Sequence, residues 1–413
     1  MSFDIILYVL LSFFSVIFGI LYFVYPRVSS ILFLIIGMII PTSNQFMGFT
    51  SYSGVYFYDY FFFTLTIYYF IRLLVKNNIY QPNYINFITI GLFFIVYFLL
   101  YILNSGTLDK YLFRDFRPFL TLFYGFICID LARNSNVRLI NILNALIFAF
   151  VFKLVFFLFL LYGFSFSDLY YQDNLFRYFD ASTFIAALFI IVVIFQRQSF
   201  VGVVNNYKLN LVLSLSILVI LISNLRILLA ALVFIYLIMN KGFFKKIIPV
   251  FLFLFLFIFY SYFMHIDRVT SAFDFQEILI QFGTRFYPAL EKISLMSSFQ
   301  FIYGLGFGSY FEIPWFEYRG LDSKLNTIDS TYLTFFVKYG LFSVIIIYLF
   351  FRVMLNHIND FLLKRAILLF YLILFFTLSI LYQSGAVLHI LFLNMLMISI
   401  NYEDTTRTIS INS

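Results

Sequence analysis

The sequence predicts an all-α polytopic membrane protein, and three observations predict it. Charged residues make up 11% of the chain and apolar ones 63%, against about 25% charged in a soluble domain. The mean hydropathy is +1.00. Apolar runs long enough to cross a bilayer, which takes roughly 20 residues each, recur along nearly the whole chain. These runs are unbroken, as in FLFLFLFIFY at 251–260, whereas the strands of a membrane barrel alternate apolar and polar residues. Lipid offers no partner to backbone amides and carbonyls, so helices are the form such runs take.

In order, spans are expected at 3–24, 28–41, 55–71, 84–103, 116–131, 139–163, 181–195, 209–223, 225–239, 247–264, 329–350, 366–382 and 387–400. That is a bundle of about 12–13 helices forming a single transmembrane domain over 1–413. The second and last spans are short for a full crossing. Basic residues gather in alternate connections: Arg72 and Lys76, Arg133 and Arg138, Arg197 and Lys208, Lys241 with Lys245 and Lys246, and Arg352 with Lys364 and Arg365. Such loops mark the cytoplasmic side. The connections at 42–54, 104–115, 164–180 and 265–328 are then extracytoplasmic, as is the N-terminus. The first span has no basic residue before it and no convincing cleavage site, and is read as retained.

The net charge of +7 is spread over the cytoplasmic loops, which makes it a topology signal rather than a nucleic-acid footprint. Cys128 is the one cysteine, which excludes an intrachain disulfide and a cysteine metal cluster. His265, His357 and His389 are too scattered to suggest a metal site, and no Asp-x-Asp pair occurs, which argues against a metal-dependent nucleotide-sugar transferase. No cofactor is expected. Lys153 lies within a span and is expected to pair or to snorkel.

The longest non-spanning stretch, 265–328, carries a large share of the charged residues and is amphipathic. Phe273, Ile278, Leu279 and Phe282 recur near helical spacing, as do Phe286, Leu290, Ile293 and Leu295. Two short helices at the membrane surface fit this pattern, and so long a loop is usually functional. Arg226, in ISNLRILLAAL, stands at a membrane boundary, where an arginine either meets an anionic ligand or snorkels. Arg177 in DNLFRYFDAS, and Arg114 and Arg117 in FRDFRPF, open spans from the outside, against the positive-inside pattern. A phosphate-bearing substrate would explain several of them, since guanidinium binds phosphate oxygens in pairs. For Arg114, pairing with Asp115 or Asp109 is the simpler explanation. Gly304, Gly306 and Gly308, in YGLGFGSYF, permit either a close backbone approach to a ligand or a plain turn.

The order of these features resembles the bacterial O-antigen polymerase (Wzy-type) family and its relatives, the O-antigen ligases. GTRFYPALEKISLMSSFQFIYGLGFGSYF (283–311) is followed by a polar insert and DSTYLTFFVKYGL (329–341). In that family an arginine opens an amphipathic stretch, a Gly-x-Gly-x-Gly turn follows, and a polar pair precedes a Tyr-Leu helix. The matching positions are Arg285, then Gly304, Gly306 and Gly308, then Asp329 with Ser330, then Tyr332, Leu333, Tyr339 and Gly340. SNLRILLAAL resembles the family's Ser-Arg helix start and places Arg226. NLFRYFDASTF resembles its arginine-containing helix entry and places Arg177. The likeness runs from about residue 165 to 345 through motifs that are each degenerate. Ligases usually carry His-Asn where this chain has Asp329-Ser330, which favours a polymerase.

The resemblance implies a GT-C-like, metal-independent glycosyltransferase of the bacterial inner membrane, with its active site facing the periplasm. Its substrate would be an undecaprenyl-pyrophosphate-linked oligosaccharide, and its partners membrane lipid and a chain-length regulator protein, with no nucleic acid. Under this reading Arg226 and Arg285, assisted by Arg177, bind pyrophosphate, with Gly304, Gly306, Gly308, Ser330 and Tyr332 in the substrate site. Asp329 is the first choice of base, ahead of Glu312 and Glu317, and capping of its helix is its competing role. The alternatives are an O-antigen ligase acting on lipid A core and a non-enzymatic flippase of lipid-linked oligosaccharide.

Overall fold

The computed structural model describes residues 3–41, 47–52, 54–75, 82–105, 110–163, 180–201, 203–223, 225–239, 275–313, 323–383 and 385–412. The expected span 247–264, together with Arg177 and Glu317, lies outside them. Within them the chain is predominantly helical, with two short hairpins, and it is an all-α polytopic membrane protein. The helices up to the long loop are α1 (Phe3–Leu21), α2 (Pro26–Ile39), α3 (Met47–Thr50), α4 (Asp59–Val75), α5 (Pro82–Ser105), α6 (Lys110–Asp115), α7 (Arg117–Ser135), α8 (Leu139–Gly163), α9 (Ala181–Phe200), α10 (Asn206–Ser223) and α11 (Arg226–Met239). The loop contributes α12 (Phe275–Ser294) and α13 (Ser298–Tyr303). After it come α14 (Thr331–Tyr339), α15 (Ser343–Met354), α16 (Phe361–Thr377) and α17 (Ala386–Asn412). Strands β1 (Ser51–Tyr52) and β2 (Val55–Tyr56) form one hairpin, and β3 (Phe311–Glu312) and β4 (Lys324–Leu325) the other.

Six helices of the described residues are long and apolar enough to cross a membrane, among them Leu139–Phe159, Thr331–Met354 and Ala386–Glu403. The last span, short in the sequence reading, continues without a break to Asn412. It is the central helix: Ala386, Leu388, Leu391, Leu393 and Leu396 are all fully buried, as befits a helix apolar on every side. It packs against α7 and α9.

The two ends of the bundle are distinct. At one end Leu139 N–H donates to the Glu403 carboxylate at 3.2 Å, and Asn401 Nδ2 donates to the His357 carbonyl at 3.1 Å. That end joins the connections holding Arg133, Arg138, Lys364 and Arg365, which the charge pattern assigned to one side. At the opposite end Tyr8 donates to the Val55 carbonyl at 3.1 Å, so the start of α1 lies beside the β1–β2 hairpin, as the expected topology requires.

Among the described residues, three buried ion pairs lie toward this second end. Arg117 Nη1 contacts the Asp59 carboxylate at 2.8 Å, while its Nη2 donates to Tyr58. Lys153 Nζ meets Asp180 at 2.6 Å and also Ser182 and Thr183 at 2.7 and 3.0 Å, so it pairs rather than snorkels. Asp180 in turn caps α9, accepting from Ser182 N–H at 3.0 Å. Lys338 Nζ meets Asp115 at 2.7 Å. Removing one partner of such a pair strands the other charge in a medium that cannot solvate it, at about 3–5 kcal/mol. Arg117→Met should therefore lower thermal stability in detergent far more than the double variant Asp59→Asn/Arg117→Met, with the difference read as a coupling energy from the four-member cycle.

Candidate functional site

The candidate site forms where the long loop returns to the bundle. The start of α14 is stitched to the end of α16. Thr331 Oγ1 donates to the Leu378 carbonyl at 2.6 Å, Tyr332 OH to the Leu372 carbonyl at 3.0 Å, and Ser330 Oγ to the Phe375 carbonyl at 3.4 Å. Ser330 is the N-cap, accepting from Leu333 N–H at 3.4 Å. The capping role considered for Asp329 thus falls to its neighbour. Asp329 stands just outside the helix with its side chain 61% exposed, and its Oδ2 lies 3.8 Å from Nε of Arg285, itself 45% exposed.

Arg285 is carried by α12. On the same helix, Phe286 and Ala289 are buried with Phe311, Ile328 and Val337 in a small core of the loop's own. Phe286 also meets Phe376 at the end of α16, edge to face at 5.9 Å. This packing fixes the arginine opposite Asp329. Arg226 opens α11, which packs against the same α16, and is half-buried. Glu312 is exposed on the β3–β4 hairpin opposite Lys324. Lys324 and Lys292 lie 4.8 and 5.2 Å from the ring centre of Tyr310. Burial pushes the Lys292 ammonium below its ordinary range, opposed by Glu312 and Glu291.

The glycine run is set into the bundle. Gly304, at φ +76°, ends α13 where it crosses the end of α14, and a Cβ there would lie 2.2 Å from the Lys338 carbonyl oxygen. Gly340, at φ +56°, faces it, and its Cβ would lie 2.4 Å from the Ile302 carbonyl oxygen. The close approach that these residues permit is therefore backbone to backbone. Gly306 N–H donates to the Lys338 carbonyl at 2.9 Å, and Gly308 N–H to Asp115 Oδ2 at 2.8 Å. A Cβ at Gly306 would meet nothing within 4 Å.

Asp115 is the residue that sequence reasoning missed. Its Oδ1 accepts from Lys338 at 2.7 Å, from Asn326 Nδ2 at 2.7 Å and from Tyr382 OH at 3.2 Å, while Oδ2 takes the Gly308 amide. Lys338 also donates to the Ser309 carbonyl at 2.6 Å. The pairing of Asp115 with Arg114 is thus replaced by one with Lys338, and Arg117, grouped with the phosphate-binding arginines, is turned to Asp59. The signal for this was Lys338 itself, a lysine inside an apolar span that needs an anion. Among the described residues no three His, Cys, Asp or Glu side chains converge as metal ligands.

Two outcomes follow. Gly304→Ala and Gly340→Ala should each lower melting temperature in detergent, since each adds a backbone clash to a positive φ. Gly306→Ala should cost only the conformational strain, about 1–3 kcal/mol. Asp115→Asn should release the loop, read as faster proteolysis within 304–330 than in the parent.

Comparison with curated proteins and with solved structures finds no match to the chain. One family does match, over residues 27–409. The chain belongs to that family, DUF6369, a family of unknown function.

Proposed function

We propose that this protein is a glycosyltransferase that polymerises undecaprenyl-pyrophosphate-linked oligosaccharide units on the periplasmic side of the bacterial inner membrane. The observation that carries the reading is the loose, solvent-facing Arg285–Asp329 pair on the bundle end that receives the long loop. The charges of the three buried pairs are committed to one another. This pair is accessible and is not locked in a hydrogen bond, so both groups can engage a ligand.

In the proposed reaction a hydroxyl oxygen of the acceptor sugar attacks the donor's anomeric carbon. The bond from that carbon to the pyrophosphate oxygen breaks, and the leaving undecaprenyl pyrophosphate takes the electron pair. Arg285 and Arg226, with Arg177, stabilise the charge that develops there without a metal. Asp329 accepts the hydroxyl proton, with Glu312 and Glu317 as the other candidate carboxylates. A chain-length regulator would act on this step.

Transport of the same lipid-linked oligosaccharide is a second reading, favoured by the three ion pairs inside the bundle, because intramembrane charges often line pathways. A ligase acting on lipid A core uses the same donor. A deletion strain separates these: loss of a polymerase leaves one repeat unit on the core, loss of a ligase leaves none, and loss of a flippase leaves the donor on the cytoplasmic side. Arg285→Ala and Asp329→Asn should each abolish long chains on a polysaccharide gel at unchanged protein level, and Arg226→Ala should weaken them strongly. Arg285→Lys should recover little, because an ammonium lacks the two-pronged geometry. Normal chain length in both Arg285→Ala and Arg226→Ala would sink the assignment.

A further inference from the structure

α13 lies beside membrane-spanning helices. It packs where the chain turns from α14 into α15, with Phe301 on Phe336 at 4.8 Å and Tyr303 on Phe342 at 5.2 Å. Its level can be read along α5. Tyr97 donates to the carbonyl of Tyr303 at 2.9 Å and so marks the level of α13's end. Leu103, 80% exposed, lies about 9 Å further outward along the same helix. An apolar, outward-facing residue thus sits nearer the membrane surface than α13 does.

The surface that α13 and the end of α12 present is apolar as well. Leu295 is 78% and Phe299 65% exposed, with Phe301 and Ile302 also exposed. This surface continues onto Leu341, Val344 and Tyr348 of the span. A segment that does not span can lie at such depth only if its backbone ends find partners in the protein. α13 has such partners at both of its ends. Ser297 and Gln300 form a reciprocal cap at its start, while Tyr97 takes the Tyr303 carbonyl and Gly304 N–H closes onto Gln300 at 2.6 Å.

We infer that the end of α12 and all of α13 form a re-entrant wedge seated in the outer leaflet. Leu295, Phe299, Phe301 and Ile302 contact lipid acyl chains, and the Arg285–Asp329 pair is held near the headgroups. The occupant of this surface is bilayer lipid, because the surface is continuous with the lipid-facing flanks of α5 and α15. The inference does not depend on the reaction proposed above.

The test uses the full chain in liposomes. Trp315 is the one tryptophan, so Trp315→Phe gives a dark background into which Phe299→Trp or Ile302→Trp is placed. Leu103→Trp is the lipid-facing control and Lys324→Trp the aqueous one. The wedge predicts blue-shifted emission at 299 and 302, quenched by acyl-brominated phosphatidylcholine as strongly as at 103 and protected from acrylamide. Acrylamide quenching equal to that at 324 overturns it. Protection from both quenchers also overturns it, because a protein partner or second copy then covers the surface. Should either tryptophan variant fail to fold, Leu295→Cys in a Cys128→Ser background carries a spin label. Greater access to oxygen than to a nickel chelate supports the wedge, and the reverse refutes it.

Discussion

One carboxylate ties the long loop to the helical bundle. Asp115, at the end of the short α6, gathers a lysine from the span that follows the loop, an asparagine and a backbone amide from the loop itself, and a tyrosine beyond α16. Four separate stretches of chain are thereby referred to two oxygen atoms. In a medium of low dielectric such a network is stable only when nearly complete, because each missing partner leaves charge or dipole unsolvated. The positions of Gly308, Asn326 and Lys338 are therefore not independent. The loop's seat, the crossing of α13 with α14, and hence the placement of Arg285 over Asp329 rest on it.

The charges divide by what surrounds them. Asp59, Arg117, Asp115, Lys338, Lys153 and Asp180 are buried and close on each other, and they hold helix ends together. Arg285 and Asp329 are exposed and separated by more than a hydrogen-bond length. An exposed pair of that kind contributes about 0–1 kcal/mol, so little is lost when either group turns to a ligand. The same pairing of residue types is architectural in one setting and available for chemistry in the other. Solvent access decides which.

Much of the architecture was legible because lipid makes hydropathy a direct record of helix position. The span 139–163 is found at Leu139–Gly163, and one bundle end joins the connections holding Arg133 and Arg138 to those holding Lys364 and Arg365, as the basic residues indicate. The last helix was read short because its apolar run gives way to Asn401, Glu403 and Asp404. Backbone hydrogen bonding carries a helix past the point where hydropathy stops marking it. The site was less legible. Arg285 and Asp329 were both named, but Asp115 and Lys338 are 223 residues apart, and no local pattern joins them. The glycines were visible, but what they approach was not: a positive φ and a missing Cβ serve a crossing helix as well as a ligand, and only the neighbours of Gly304 tell the two apart.

Tyr97 carries a consequence of another kind. Its hydroxyl lies 2.9 Å from the Tyr303 carbonyl and 3.1 Å from that of Tyr339. These are the last carbonyls of the wedge helix and of the first segment of the span behind it, and a phenol has one hydrogen to give. The two helix ends share that hydrogen in a forked bond, so whatever draws it toward one weakens its hold on the other. The joint between loop and bundle is a divided bond, in which strain on the wedge reaches the span through the position of a single proton.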